Sequence, residues 1–335
     1  MTTSVGIVGF RGYSGAELIR ILERHSHAEP VLMEHRSDSA AESLPRGSKG
    51  HKRIPCTPEA VASANLSAVF LATPPEVSMD LTPGILEAGA KVIDLSGAFR
   101  LGTAETYKYW YKTEHTQADL LKEAAYGLPE FCRDRIRDAR LVSNPGCYPT
   151  AANLAIKPLV SRELIDRSAG IVCDGKSGVS GAGRKPSMKT SFCEVTENFS
   201  AYSLLDHRHV PEVLMNSGLN ADEFSFVAQL IPIDRGILET IYFRGVDGLT
   251  ADILVNSYEH FYKGEPFVRL YDPGVVPDLR AVQHTNFCDI GVKYDPATRR
   301  GVVVSVIDNL GKGAAGQAVQ NMNLILGYPE QEGLL

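Results

Sequence analysis

Across the first 145 positions, short apolar runs alternate with stretches whose apolar residues fall at helical spacing. Residues 5–8, 31–33, 69–72 and 91–95 are dominated by Val, Ile, Leu, Met and Phe, and they are too short for buried helices. Such runs fit strands covered on both faces. Residues 14–25 and 79–88 are read as helices, and in the first of these Leu18, Ile19 and Leu22 share one side suited to packing on a sheet. This alternation predicts an α/β domain built on a parallel sheet. The pattern changes after Cys147. Residues 169–173, 224–231, 241–243 and 301–307 are strand-like, and 151–159 and 250–262 are helix-like. That order predicts an α+β domain with a mixed or antiparallel sheet. The closing stretch, 313–326, has Ala318, Met322 and Ile325 at helical spacing and could return to the first domain, while the glycine-rich stretch 175–191 reads as a loop.

At the first strand-to-helix junction stands Gly6-x-x-Gly9-x-x-Gly12, followed by Tyr13, Ser14 and Gly15. Glycines there let the backbone turn tightly and approach a pyrophosphate, which a helix N-terminus attracts. The spacing departs from G-x-G-x-x-G, and a bare tight turn is the competing reading. The ribose-reading position comes about twenty residues later, at Glu34-His35-Arg36-Ser37. A carboxylate at the strand tip selects NAD, whereas Arg36 with Ser37 suits the 2′-phosphate of NADP. The expectation is NADP, with Glu34 inside the strand. A solvated loop arginine is the alternative for Arg36.

The strongest chemical candidate is Cys147, in Asn144-Pro145-Gly146-Cys147-Tyr148-Pro149. Pro149 fits the first turn of a helix, which puts the thiol at the positive end of the macrodipole, where a thiolate is favoured. Asn144 and the amides after Pro145-Gly146 are placed to donate to an oxyanion. A small buried cysteine is the rival reading. Asp206-His207-Arg208-His209 is the densest titratable cluster. In extended backbone the two histidines share a face and Arg208 points away, so either imidazole could exchange a proton with the thiol. Arg100, following a first-domain strand, is read either as an anion ligand or as a surface salt bridge.

The 335 residues suffice for two cores. A formal charge of −6 and a pI of about 5.9, without a basic run, argue against nucleic acid as a partner. No apolar run approaches the ~18 residues of a membrane span and no signal peptide is evident, so the expectation is a cytoplasmic protein away from membranes. Six cysteines at 56, 132, 147, 173, 193 and 288 show neither pairing nor metal-ligand spacing, so free thiols and no metal are expected.

Together, Gly9 to Leu18, Val92 to Ser96, Tyr126 to Glu130, Ser143 to Thr150, Gly175 to Gly183, His207-Arg208-His209 and Asp308 to Ala318 resemble the N-acetyl-γ-glutamyl-phosphate reductases of arginine biosynthesis. The resemblance spans nearly the whole chain. It implies a semialdehyde dehydrogenase architecture: a Rossmann-type NADP-binding domain over 1–146, completed by a C-terminal helix at 313–327, and a catalytic and dimerisation domain over 147–312. It further implies a homodimer or homotetramer, with Cys147 as nucleophile, His209 as the favoured acid/base and His207 nearby. Ser177, Gly178 and Asn309 would lie near the nicotinamide, Arg208 would meet a substrate carboxylate, and Arg100 the leaving phosphate. The substrate implied is an acyl phosphate; aspartyl phosphate, a carrier-bound aminoadipyl phosphate and a non-catalytic thiol sensor remain as alternatives. Thr73-Pro74-Pro75-Glu76 departs from the family's Leu-Pro-His type of turn beside the cofactor.

Overall fold

The computed structural model describes residues 2–35 and 50–335. The chain forms two compact units: Met1–Thr103 with His115–Asn144 and Ala318–Leu335, and Ala104–Glu114 with Pro145–Gln317.

The first unit is built on seven strands, β1 (Thr3–Val8), β2 (Ala28–Glu34), β3 (Arg53–Pro55), β4 (Ala68–Leu71), β5 (Lys91–Asp94), β6 (Ala125–Tyr126) and β7 (Leu141–Ser143). Their order is β3-β2-β1-β4-β5-β7-β6, and every pairing is parallel. The order reverses direction between β1 and β4. Open parallel sheets form their ligand crevice at such a switch point, beyond the carboxyl ends of the strands. β4 is buried at all four positions, as its unbroken apolar run requires. The helix after β1 spans Tyr13–Leu22 and buries Leu18, Ile21 and Leu22. Ile21 takes the place expected for Ile19, and the helix stops before residue 25.

The second unit carries β8 (Ile171–Ser177), β9 (Ser200–Tyr202), β10 (Phe224–Leu230), β11 (Ile237–Arg244), β12 (Val268–Leu270), β13 (Cys288–Asp295) and β14 (Arg300–Ile307). The order is β12-β13-β14-β11-β8-β10-β9. Two pairings are parallel, β8 with β10 and β12 with β13, and the rest antiparallel, so the sheet is mixed. Residues 175–177, read from sequence as loop, continue β8; short 3-10 turns at Val179–Ala182 and Met188–Thr190 follow.

The centre of this unit is the helix Cys147–Ser161, with Pro149 in its first turn. Residues Tyr148 to Ile156 are all buried, which an ordinary amphipathic helix would not show. Pro158 lies one turn from the end and does not stop it. The hydroxyls of Tyr258 and Tyr262, from the helix Ala251–Phe261 and its C-cap, bond the carbonyls of Ala155 and Leu154. They occupy acceptors near the prolyl interruption, where intrahelical donors run short. The sheet alternates: Cys173, Gly175, Ser177, Ile237, Glu239 and Ile241 are buried, while Val172 and Tyr242 on the opposite face are 43% and 46% exposed.

Candidate active site

In the first unit, the turn after β1 is shaped by contacts that tolerate only glycine. Gly9 has φ +80°, and a Cβ there would come within 2.2 Å of the Ala72 carbonyl oxygen at the end of β4. A Cβ on Gly15 would meet the Gly9 carbonyl at 2.4 Å, so the helix start sits directly on the turn. Gly12 is the extended N-cap, with no side chain to take the first N–H groups. A cavity of about 480 Å³ opens here, lined by Gly9, Phe10, Arg11, Gly12, Met33, His35 and the Ala72-Thr73-Pro74 turn. Tyr13, Ser14 and Gly15 form the first helical turn beside it. The departing Thr73-Pro74-Pro75-Glu76 sequence starts the helix Pro75–Glu87, with Thr73 Oγ1 bonded to Ser78 Oγ at 2.8 Å. Arg36 and Ser37 lie outside the described residues.

Also in the first unit, Arg100 is buried, which removes the surface-salt-bridge reading. Its Nε donates to the Asn144 carbonyl and its Nη2 to the Leu95 carbonyl, both at 2.9 Å. The Asn144 side chain accepts at Oδ1 from Asn321 Nδ2 at 3.0 Å, and the same Asn321 amide reaches the Gly127 carbonyl. Gly127 has no alternative, since a Cβ there would fall 2.4 Å from Asn321 Nδ2.

In the second unit, Cys147 is the first residue of its helix, behind the extended N-cap Gly146. It lines a cavity of about 640 Å³ together with Tyr148, Ser177, Gly178, Tyr202, His207, Arg208 and His209. The structure thus brings the predicted thiol, both imidazoles, Arg208, Ser177 and Gly178 to one cavity. The histidines come from a turn rather than extended chain, yet they are still sorted as expected, His207 and His209 buried and Arg208 exposed. His209 caps the helix Val210–Ser217, which has Pro211 in its first turn.

The two imidazoles are in different situations. His207 Nδ1 accepts the backbone N–H of His209 at 3.2 Å, so its ring proton sits on Nε2. Burial first, and the neighbouring Arg208 charge second, push the His207 pKa down to about 4. His207 is therefore neutral at pH 7 and a weak base. Its ring is boxed by Tyr148, Tyr202 and Phe226, at centroid distances of 5.6, 5.5 and 5.4 Å, and lies 4.8 Å from the His209 ring. Tyr148 is the wedge of this box. Its hydroxyl donates to the Gln229 carbonyl at 3.0 Å, and its ring rests on Gly175, where a Cβ would come to 2.7 Å.

Two buried carboxylates beside the site, Glu212 and Glu239, carried no sequence signal. Glu212 Oε1 accepts the Gly146 N–H at 2.7 Å, from a fully buried position in the helix that follows His209. Glu239, opposite Gly175 in the β8–β11 register, is fully buried, and desolvation raises its carboxyl well above the ordinary range. Asn309 ties two loops together: Nδ2 donates to Ser180 Oγ at 3.0 Å, and Oδ1 accepts from the Gly236 N–H at 2.6 Å. Gly178 is held so close to residue 234 that a Cβ would lie 2.6 Å from its carbonyl oxygen. Asp308 accepts N–H groups from Leu310, Gly311 and His284 and pairs with the buried Arg235 at 2.9 Å. It thereby starts a π-helical turn, Gly311–Ala315, in which a Cβ on Gly313 would come to 2.9 Å of Cys147 Cβ. π-turns of this kind concentrate at functional sites.

The chain matches known families along most of its length. Residues 4–139 match the semialdehyde dehydrogenase NAD binding domain, and residues 147–309 the semialdehyde dehydrogenase dimerisation domain. An N-acetyl-gamma-glutamyl-phosphate reductase of Symbiobacterium thermophilum is 46% identical over 344 aligned positions, covering 100% of this chain and 98% of that protein. The crystal structure of aspartate semialdehyde dehydrogenase II complexed with ASA from Vibrio cholerae shares the fold at TM-score 0.74 and 18% identity, covering 98% of this chain and 99% of its own. Aspartate semialdehyde dehydrogenase with NADP from Candida albicans aligns at TM-score 0.69 and 15% identity, covering 98% of this chain and 99% of its own. With both of its domains matched and full-length relatives at this level of identity, the chain belongs to the semialdehyde dehydrogenase family of oxidoreductases, in the company of the N-acetyl-γ-glutamyl-phosphate reductases.

Proposed function

We propose that this protein reduces N-acetyl-glutamyl 5-phosphate to the 5-semialdehyde, releasing phosphate, with NADPH as reductant and Cys147 as a covalent nucleophile. The observation that carries this reading is the sharing of one cavity by Cys147, at a helix N-terminus, and two imidazoles. The names of its full-length relatives supply the substrate. The first-unit cavity fits a dinucleotide: the turn at Gly9 leaves no room for a Cβ, and an uncapped helix N-terminus follows it. NADP rather than NAD is our reading, in keeping with the Candida albicans neighbour.

In this mechanism His209 takes the Sγ proton, because burial and the Arg208 charge make His207 a weak base and its Nδ1 is already occupied. The thiolate attacks the acyl carbon, and the N–H groups of Cys147 and Tyr148 receive the oxyanion, since that of Gly146 is committed to Glu212. The C–O bond to phosphate breaks and a thioester remains on Sγ. What the nicotinamide contributes when bound is a hydride. After reduction the C–S bond breaks, the aldehyde departs and Sγ returns as thiolate, which recovers its proton from His209. Arg208, exposed at the cavity wall, suits the substrate carboxylate. The open face of the second sheet, with Val172 and Tyr242, suits a second copy of the chain, as a homodimer or a pair of dimers. Six cysteines outside any disulfide fit the reducing cytoplasm.

The test is Cys147→Ser. It should keep nucleotide binding, followed by NADPH fluorescence, yet lose turnover by about 10³-fold or more. Near-normal turnover by the variant would rule out covalent catalysis at this sulfur. An unmodified protein that binds NADPH but reduces only aspartyl or aminoadipyl phosphate would overturn the substrate.

A further inference from the structure

The last residue of β2, Glu34, stands about twenty residues beyond the glycine turn, where a dinucleotide fold normally reads the adenosine ribose. A lone carboxylate there accepts from a 2′-hydroxyl and repels a 2′-phosphate. Glu34 is not alone. Arg11 Nη2 lies 3.6 Å and Arg53 Nη1 3.4 Å from the same oxygen, Glu34 Oε1. Both guanidinium groups also lie over the Phe10 ring, at 4.6 and 5.8 Å from its centroid. An aromatic face attracts cations, so Phe10 gathers the pair by a contact that does not depend on the carboxylate.

The place belongs to the cofactor cavity. Phe10 and Arg11 line it, as do Met33 and His35 on either side of Glu34. Arg53 meets Glu34 and the lining residue Phe10 through the fold alone: it begins β3, which pairs in parallel with β2 and sets Arg53 beside Leu32. Two fixed positive charges against one carboxylate leave the cluster net cationic. Glu34 is 36% exposed, so it can turn to water if a stronger anion arrives.

We propose that Arg11 and Arg53 form the 2′-phosphate subsite of the dinucleotide cavity, with Glu34 as the internal counter-ion that keeps the pair oriented. This deepens the NADP reading above and rests on it. A phosphomonoester offers more charge and more acceptor oxygens than one carboxylate, and guanidinium forks match it geometrically. To the 2′-hydroxyl of NAD the same pair can donate neutral-acceptor hydrogen bonds but finds no anion to pair with.

The experiment is calorimetric titration of the full chain with 2′,5′-ADP and with 5′-AMP, which differ only in the 2′-phosphate. The unmodified protein should prefer 2′,5′-ADP. Arg53→Gln and Arg11→Gln should each weaken 2′,5′-ADP by roughly ten-fold while changing 5′-AMP by less than about two-fold. Glu34→Gln should strengthen 2′,5′-ADP. Equal losses for both nucleotides, or no loss for either, would overturn the assignment and leave the dinucleotide reading standing. Failure of the unmodified protein to bind either nucleotide or NADPH would overturn the dinucleotide reading and the assignment together. Arg53 lies on an edge strand and is partly exposed, so Arg53→Gln decides the matter should Arg11→Gln unfold.

Discussion

Two helices in this protein begin in the same way and come to different ends. Tyr13–Leu22 and Cys147–Ser161 both follow a parallel strand of the first sheet and a glycine N-cap in extended conformation, and neither N-cap contributes a side-chain hydrogen bond. Both therefore present backbone N–H groups and the positive end of a macrodipole. What surrounds each start decides its use. The first lies on a turn pressed against Ala72 and opens on a cavity, and its helix is buried on one side only. The second has Gly146 tied to Glu212, Gly313 backed against Cys147, and a helix buried almost all round. The first start suits a ligand that arrives and leaves. The second suits a charge that is part of the protein.

Substitutions at the two starts should separate these roles. Gly9→Ala would force a left-handed residue and a methyl into the Ala72 carbonyl, so it should abolish measurable nucleotide binding and cost about 1–3 kcal/mol of stability. Iodoacetamide labelling of Cys147 should meanwhile proceed at the normal rate. Gly313→Ala should do the opposite: kcat and the alkylation rate fall about 10–100-fold while nucleotide affinity holds, because the new methyl displaces Cys147 Cβ. If either substitution damaged both properties alike, with the melting temperature unchanged, the comparison would collapse.

A smaller effect concerns the imidazole box. The folded pKa of His207, about 4, lies below the ordinary value of 6.5, so between these two pH values the unfolded chain binds more protons than the folded one. The stability this site contributes is complete above pH 6.5 and is lost as pH falls toward 4, by up to about 3 kcal/mol. His207→Gln should flatten that part of the melting-temperature profile; an unchanged slope would mean that the imidazole is not held neutral.

Both helix starts were legible because their signals are local: glycines at a strand end, and Pro149 just inside a helix. The sorting of His207 and His209 away from Arg208 was legible too, although the backbone that achieves it is a turn. Long-range chemistry was not. Glu212 lies 66 positions from its partner Gly146, and Arg53 contacts Glu34 only because β3 happens to pair with β2. β13 shows no apolar run because Asp289 and Lys293 break its pattern. The fold makes Asp289 tolerable by a bidentate bond from Arg269, at 2.6 and 2.8 Å. Residues 175–177, at the start of the stretch expected to be loop, are strand, and Gly175 there makes room for the Tyr148 ring.

Glu212 grows from the helix that His209 caps, and it grips the peptide just ahead of Cys147. The cysteine and the imidazole are therefore joined through one buried carboxylate. That bond couples the start of the Cys147 helix to the helix behind His209, so a shift at one is passed to the other.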